Sequence, residues 1–258
     1  SLEESVHRLK ADHLRCDDAT WIAYTEALTR AGANQVIIDL GEGVQWECCP
    51  ELAVLGAWSK SRLSEELNRL RRVGLQPIPK INFSAGHDEW MGEYARMIST
   101  QVYYEFCRSL IAEVSELFGC PEFFHIGMDE EDVSNQREYS HMVVRQHELW
   151  YSDLNFYADE VARHGARPWM WSDKVWADEK EFVNRVSRDI LQSNWYYGLD
   201  FSGRREPRPG ERNFQVEDHV RYFEVLDKAG FDQVPAGSNY ANSENMELLV
   251  KHCRQVIA

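Results

Sequence analysis

A chain of 258 residues, 43% hydrophobic and 28% charged, is long enough for one large core, either an α/β barrel or two smaller domains. Its 43 acidic against 28 basic residues leave a formal charge of -15, which argues against nucleic acid and anionic membrane surfaces as partners, since both demand a basic footprint. No apolar run approaches the ~20 residues needed to cross a bilayer. Neutral ligands fit better, and nine Trp, eleven Tyr and eleven Phe suit either sugar-stacking platforms or an ordinary large core. Cys16, Cys48, Cys49, Cys107, Cys120 and Cys253 show no metal-ligand spacing and read as mostly free, buried thiols. The opening Ser1-Leu2-Glu3-Glu4 has no basic and apolar signal regions, which fits a cytoplasmic protein and an exported one after signal removal equally. Nothing in the sequence specifies an oligomeric state.

Taken in order, residues 1–16 are charged, with room for a short strand around His13-Leu14. Asp17-Asp18 caps a helix carrying Trp21, Ile22, Leu28 and Ala31, closed by Gly32. Residues 35–40 read as a buried strand. After a loop holding Trp46, Cys48 and Cys49, residues 59–73 repeat the helical pattern through Leu63, Leu67 and Leu70, with Gly74 as the stop. Residues 75–83 form the next strand, where Pro77 and Pro79 remove two ladder donors and predict an irregular edge. Val102, Tyr103, Phe106, Leu110, Val114, Leu117 and Phe118 predict a helix over 100–118. It leads into Phe123-Phe124-His125-Ile126-Gly127-Met128-Asp129-Glu130-Glu131-Asp132, an apolar strand that ends in four consecutive acids. Beyond it the pattern predicts a long helix over 138–164 ended by Gly165, a strand over 167–171, a helix over 178–188 and a strand over 190–195. A loop at 203–210 precedes a helix over 216–228, a strand-like 231–236 and a last helix over 243–256.

Six alternations of strand and helix predict right-handed βαβ units and a parallel sheet, within a single domain spanning 1–258. At this length a (β/α)₈ TIM barrel leads, incomplete at one or both termini because only six strands are visible; a doubly wound open sheet comes second. No phosphate-cradling glycine motif follows any strand, so no nucleotide cofactor is implied. The strands end at Asp39 with Glu42 nearby, at Asn82 with His87, at Asp129 and Glu130, at Trp171 and Asp173, at Trp195 and Tyr196, and at Asn239 and Tyr240. Barrel enzymes keep their chemistry at these carboxyl ends, and acids, amides and aromatics converging there describe a carbohydrate site. Each aromatic taken singly reads as core before it reads as a binding face, and the acids at 129–132 read equally as caps of a following helix.

His125-Ile126-Gly127-Met128-Asp129-Glu130 resembles the His-x-Gly-Gly-Asp-Glu signature of the retaining β-N-acetylhexosaminidases, with Met128 in place of the second glycine. Further segments are similar to that family's loops: Pro50-Glu51-Leu52 with Gly56-Ala57-Trp58-Ser59, Pro79-Lys80-Ile81-Asn82 with Gly86-His87, Trp169-Met170-Trp171-Ser172-Asp173, and Ser193-Asn194-Trp195. Lys80 and Asn82 stand where the family has acids. Its first-strand Arg-Gly and last-strand Trp-Glu are missing. The resemblance covers about residues 35–240 and implies a barrel glycosidase that needs no cofactor or metal.

Carried over residue by residue, it implies that Asp129 orients the substrate's acetamido group, whose oxygen attacks the anomeric carbon, while Glu130 serves as acid and then base. Asp39, Asn82, His87, His125, Trp171, Asp173, Trp195, Tyr196 and Tyr240 would bind substrate. Neighbouring like charges would help keep Glu130 protonated. Glu131 competes for the acid role, and His125 reads either as a structural histidine or as a pocket residue. Two alternatives stand beside the glycosidase: a catalytically silent or altered-specificity carbohydrate-binding barrel, which Met128, Lys80 and Asn82 keep in play, and a metal-dependent hydrolase using His87, His125, Asp129 and Glu130. Against the latter, no His-x-His closes a first strand.

Overall fold

The computed structural model describes residues 10–202, 219–239 and 242–258; the expected loop at 203–210, the start of the expected helix at 216 and Tyr240 lie outside them. The fold is α/β, with five strands in a parallel sheet of order β1-β2-β3-β4-β5. The chain divides into two compact units, Ser1–Pro168 and Trp169–Ala258.

In the first unit, helix α1 (Asp18–Arg30) starts where the Asp17 carboxylate accepts from the Thr20 amide at 2.8 Å, satisfying a donor that has no partner within the helix. Gly32, at φ +83°, turns the chain out of the helix. Helix α2 (Lys60–Arg72) is capped by Ser59 and buries Leu63, Leu67 and Leu70. Each of those leucines contributes about 1.5–3 kcal/mol by leaving water. Helix α3 (Gln101–Leu117), capped by Thr100, buries Tyr103, Phe106, Leu110 and Val114, whereas Val102, expected on that face, is half exposed.

Strands β1 (Gln35–Asp39) and β2 (Gln76–Lys80) pair in parallel from Gln35↔Gln76 to Asp39↔Lys80. The Gln76 amide donates to Asn34 on the β1 side, while the amides of Ile81 and Phe83 donate to His125 and Ile126 on the other. Alternation along the strand therefore points the nitrogens of Pro77 and Pro79 toward β3 (Phe123–His125). The β2–β3 ladder is anchored at Lys80↔His125, beyond both prolines, so the expected irregular edge is the β3 side of β2. The strand expected near His13 is a single bridge, His13↔Leu55.

The predicted helix over 138–164 is shorter than its apolar pattern: α4 runs Glu148–Arg163, and 138–147 is irregular. The cause is Arg145, whose side chain is fully buried. Its backbone N–H and Nε reach Glu131 Oε1 at 3.0 and 2.9 Å, its Nη1 reaches Asp153 Oδ2 at 3.0 Å and the Tyr157 hydroxyl at 2.7 Å, and its Nη2 reaches the Phe83 carbonyl at 2.7 Å. A continuous helix would not let one arginine donate both its amide and its fork to Glu131. A guanidinium out of water holds only if its donors are matched this fully.

The second unit takes the end of β4 (Arg167–Trp171) and pairs it in parallel with β5 (Leu191–Ser193) through Trp169↔Leu191 to Trp171↔Ser193. Helices α5 (Lys174–Ala177) and α6 (Glu179–Arg185) join them, and α7 (Arg221–Lys228) and α8 (Asn245–Val256) follow. The strand-like 231–236 appears as two bridges, Gln192↔Gln233 and Trp195↔Ala236, stitched by amides of Gln192, Val234, Ala236 and Tyr196. A complete eight-stranded barrel is not present among the described residues. All six cysteines are free, but only Cys49 and Cys107 are buried, so the expectation of mostly buried thiols fails at the other four. Among the described residues no helix is long and apolar enough to cross a membrane.

Replacing Arg145 by Met should destabilise the protein by about 3–5 kcal/mol, because it leaves Glu131 and Asp153 as uncompensated buried charges. Urea denaturation checks this; a midpoint equal to the wild type's would refute the clamp.

Candidate active site

The site grows from the carboxyl ends of β1, β2 and β3. Past His125 the backbone turns through left-handed conformations at Gly127 (φ +73°), Met128 (φ +75°) and Glu130 (φ +55°). A Cβ on Gly127 would lie 1.9 Å from Asn82 Oδ1, so only glycine fits there. Asn82 fills that space. Its Oδ1 accepts from the amides of Ser84 at 3.1 Å and Met128 at 3.3 Å, and its Nδ2 donates to Asp129 Oδ1 at 2.8 Å. The Ser84 hydroxyl donates to the Asp129 carbonyl and accepts the Gly86 amide at 3.0 Å. A Cβ on Gly86 would meet the Glu130 carbonyl oxygen at 2.5 Å, so this second glycine lets the two loops touch.

Met128 keeps a glycine-like backbone at a cost on the order of 1–2 kcal/mol. Its side chain, 1% exposed, offsets that strain by burial.

His87 ties the acids together. Its Nε2 lies 3.2 Å from Asp129 Oδ2 and 3.1 Å from Glu130 Oε2. Burial pushes the imidazole down, but the charges of Asp129 and Glu130 outweigh it and raise His87 to about 9. Asp129 is held well below the usual carboxylate range: burial opposes ionisation, and the His87 charge and hydrogen bond, Lys80 and the Asn82 amide together overcome it. Lys80 donates to Asp39 Oδ2 at 2.7 Å; burial lowers its pKa, and Asp39 and Asp129 raise it further than burial lowers it. Asp39, Lys80, Asn82, His87, Trp90 and Asp129 line a cleft of about 210 Å³, smaller than the roughly 300–1,000 Å³ of drug-sized pockets and suited to a small polar ligand.

Glu131, the rival acid, is sequestered: its carboxylate is held by the Arg145 fork and accepts the Ala85 amide at 3.1 Å. Glu130 is 35% exposed at its side chain and its carbonyl accepts from Asn135 Nδ2 at 2.9 Å. His125 is fully buried beneath the turn, where its Nδ1 accepts the Gly127 amide at 3.1 Å, and burial followed by the Lys80 charge pushes its pKa well down. Among the described residues, His87, Asp129 and Glu130 are the one group of His, Cys, Asp and Glu placed to hold a metal ion, with ligand atoms within 4.8 Å of one another. His125, expected in that set by the metal-hydrolase alternative, is not part of it.

In the second unit Trp171 and Trp195 meet edge to face at 5.5 Å, and Trp176 packs on Trp195 at 4.6 Å and stacks on His219 at 3.4 Å. Asp173 lies at the start of α5, where its carbonyl accepts the Trp176 amide at 2.9 Å. Tyr196 is 2% exposed and packed with Val220, Phe223 and Leu249, its hydroxyl donating to the Asp200 carbonyl at 2.9 Å. In this structure it packs as part of the second unit's core. Lys80 and Trp90 on the cleft wall and Arg145 behind it escape sequence reasoning. Lys80 stands out only as a departure from an acidic motif, Trp90 is one aromatic among many, and Arg145 sits inside a helical pattern.

No protein-family model and no curated protein matches the chain. Solved structures do match in fold. A Flavobacterium johnsoniae chitobiase aligns with TM-score 0.60 and 18% identity, over 84% of this chain and 35% of its own. A Vibrio harveyi exo-β-N-acetylglucosaminidase of glycoside hydrolase family 20 aligns with TM-score 0.62 and 15% identity, over 89% and 40%. A Bacteroides fragilis β-N-acetylhexosaminidase gives 0.64 and 15%, over 90% and 49%. The chain thus shares its fold with family 20 β-N-acetylhexosaminidases and spans about a third to a half of the length of these structures.

With a folded-state value raised from 6.5 to about 9, His87 contributes stability that is full below about pH 6.5 and lost as pH rises through about 9. The stability gap between wild type and His87→Gln should therefore shrink by about 1–3 kcal/mol between pH 6.5 and 9.5. Denaturation curves across that range test it, and a gap that stays constant or widens would contradict the bridged imidazolium.

Proposed function

We propose that the chain is a glycoside hydrolase acting on β-N-acetylhexosaminides with retention, its 258 residues belonging to one hydrolase domain. The observation that carries this reading is the division among three consecutive acids: Glu131 is locked by Arg145, while Asp129 and Glu130 share His87. Asp129, half-buried and ionised, keeps acceptor capacity for an acetamido N–H beyond its bonds to Asn82 and His87. Fixing that group aims its carbonyl oxygen at the anomeric carbon. As the new C–O bond forms, the glycosidic oxygen departs with a proton delivered by Glu130, which takes it from the His87 imidazolium 3.1 Å away. Water then adds at the anomeric carbon, giving its proton to the Glu130 carboxylate and reopening the cyclic intermediate. In this reading Asp39, Asn82 and His87 shape the sugar's polar surroundings.

A second reading is a carbohydrate-binding barrel with altered or no turnover. Its support is the Lys80–Asp39 ion pair, which occupies the cleft wall. Hydrolysis of aryl N-acetyl-β-glucosaminides separates the two.

Under the hydrolase reading, Glu130→Gln should slow substrates with poor leaving groups by about 10²–10⁴ and activated aryl glycosides far less. Asp129→Asn should slow both alike, since its role precedes departure of the aglycone. Equal losses for both substrate types in Glu130→Gln, with full activity in Asp129→Asn, would overturn the assignment.

A further inference from the structure

The bridge that His87 makes between two carboxylates has the dimensions of a metal site. A tetrahedral zinc, with nitrogen and oxygen ligands at about 2.0–2.2 Å, separates its donor atoms by roughly 3.3–3.5 Å along the edges of the tetrahedron. The two edges that share His87 Nε2 measure 3.2 Å to Asp129 Oδ2 and 3.1 Å to Glu130 Oε2, and all three atoms lie within 4.8 Å of one another. The third edge, between the two carboxylate oxygens, is bounded only by that 4.8 Å and closes as an ion is drawn in between them.

We propose that His87, Asp129 and Glu130 form a three-ligand site for a zinc-class divalent cation, with the fourth position open, and that occupancy switches the hydrolase off. One neutral imidazole and two carboxylates carry two negative charges, which match Zn²⁺. The mixed nitrogen and oxygen set favours zinc over magnesium or calcium, whose sites are built from oxygen alone. Binding is a displacement: the Nε2 proton leaves to solvent and the Nε2 lone pair becomes a metal ligand. The supporting shell is in place, because Asn82 Nδ2 holds Asp129 Oδ1 at 2.8 Å and the Ser84 hydroxyl holds the Asp129 carbonyl. The effect on turnover rests on the hydrolase reading: a Glu130 carboxylate engaged by zinc has no proton to donate. The binding itself does not depend on that reading.

A competing soft site exists. The Sγ atoms of Cys48 and Cys49 are 3.4 Å apart, and Cys48 is exposed. The experiment is calorimetric titration of the untagged, chelator-treated chain with zinc, repeated with cobalt followed by visible absorption. Four proteins are compared: wild type, His87→Gln, Glu130→Gln and the double variant Cys48→Ser/Cys49→Ser.

The expected result is one equivalent bound by wild type and by the cysteine variant. Cobalt should then show d–d bands without a thiolate charge-transfer band. Loss of one of three ligands should weaken binding by more than the roughly 10- to 100-fold that removal of an outer partner costs. Glu130 is 35% exposed at its side chain, so Glu130→Gln should keep the fold and decides the matter if His87→Gln unfolds. Unchanged affinity in Glu130→Gln, loss of binding in the cysteine variant, or no binding by wild type at micromolar zinc would each overturn the proposal. A protein that binds zinc in this pattern but hydrolyses no aryl hexosaminide would instead refute the hydrolase reading and leave the metal site standing. An active enzyme that ignores zinc would do the reverse.

Discussion

The amide of Asn82 is the contact on which the first unit's chemistry depends. It occupies the volume that a side chain at position 127 would need, accepts the amides of Ser84 and Met128, and donates to Asp129. One neutral side chain thus connects the end of β2, the reversed backbone after β3 and a half-buried carboxylate. An acid at position 82 would bring a second negative charge to Asp129 and no donor for it. Where the resembling family has an acid, this chain keeps the connection by using a group that both donates and accepts.

Lys80 and Met128 depart from the family pattern in similarly compensated ways. Lys80 is half-buried at the cleft, yet Asp39 lies 2.7 Å away on the neighbouring strand, so the cation is paired across the β1–β2 register that puts Asp39 opposite Lys80. Met128 retains the left-handed turn that a glycine would adopt at no cost and exchanges backbone strain for a buried thioether.

Helix starts and stops in this chain are written locally, in Asp17, Ser59 and Thr100 at the beginnings and in Gly32, Gly74 and Gly165 at the ends, so the alternation of elements is legible from sequence. The acids at 129 and 130 are legible because a short motif marks them. The Arg145 clamp is not, since its partners Glu131, Asp153 and Phe83 lie 14, 8 and 62 positions away and the pattern around it is helical. The core position of Tyr196 also escapes, because a tyrosine at a strand end reads the same whether its hydroxyl meets a ligand or the Asp200 carbonyl. Local rules decide element type, and non-local polar partners decide which acids are available.

The two prolines of β2 carry a consequence for motion. With no N–H at positions 77 and 79, β2 donates its own amides toward β3 only from Ile81 onward, at the end where Asn82, Ser84 and Asp129 sit. The hydrogen bonds that shape the cleft therefore adjoin the donors that β2 contributes to this seam. Breathing of the sheet and loosening of the cleft become one event, so a bound ligand that tightens the cleft also slows amide hydrogen exchange along β3, including at residues it never contacts.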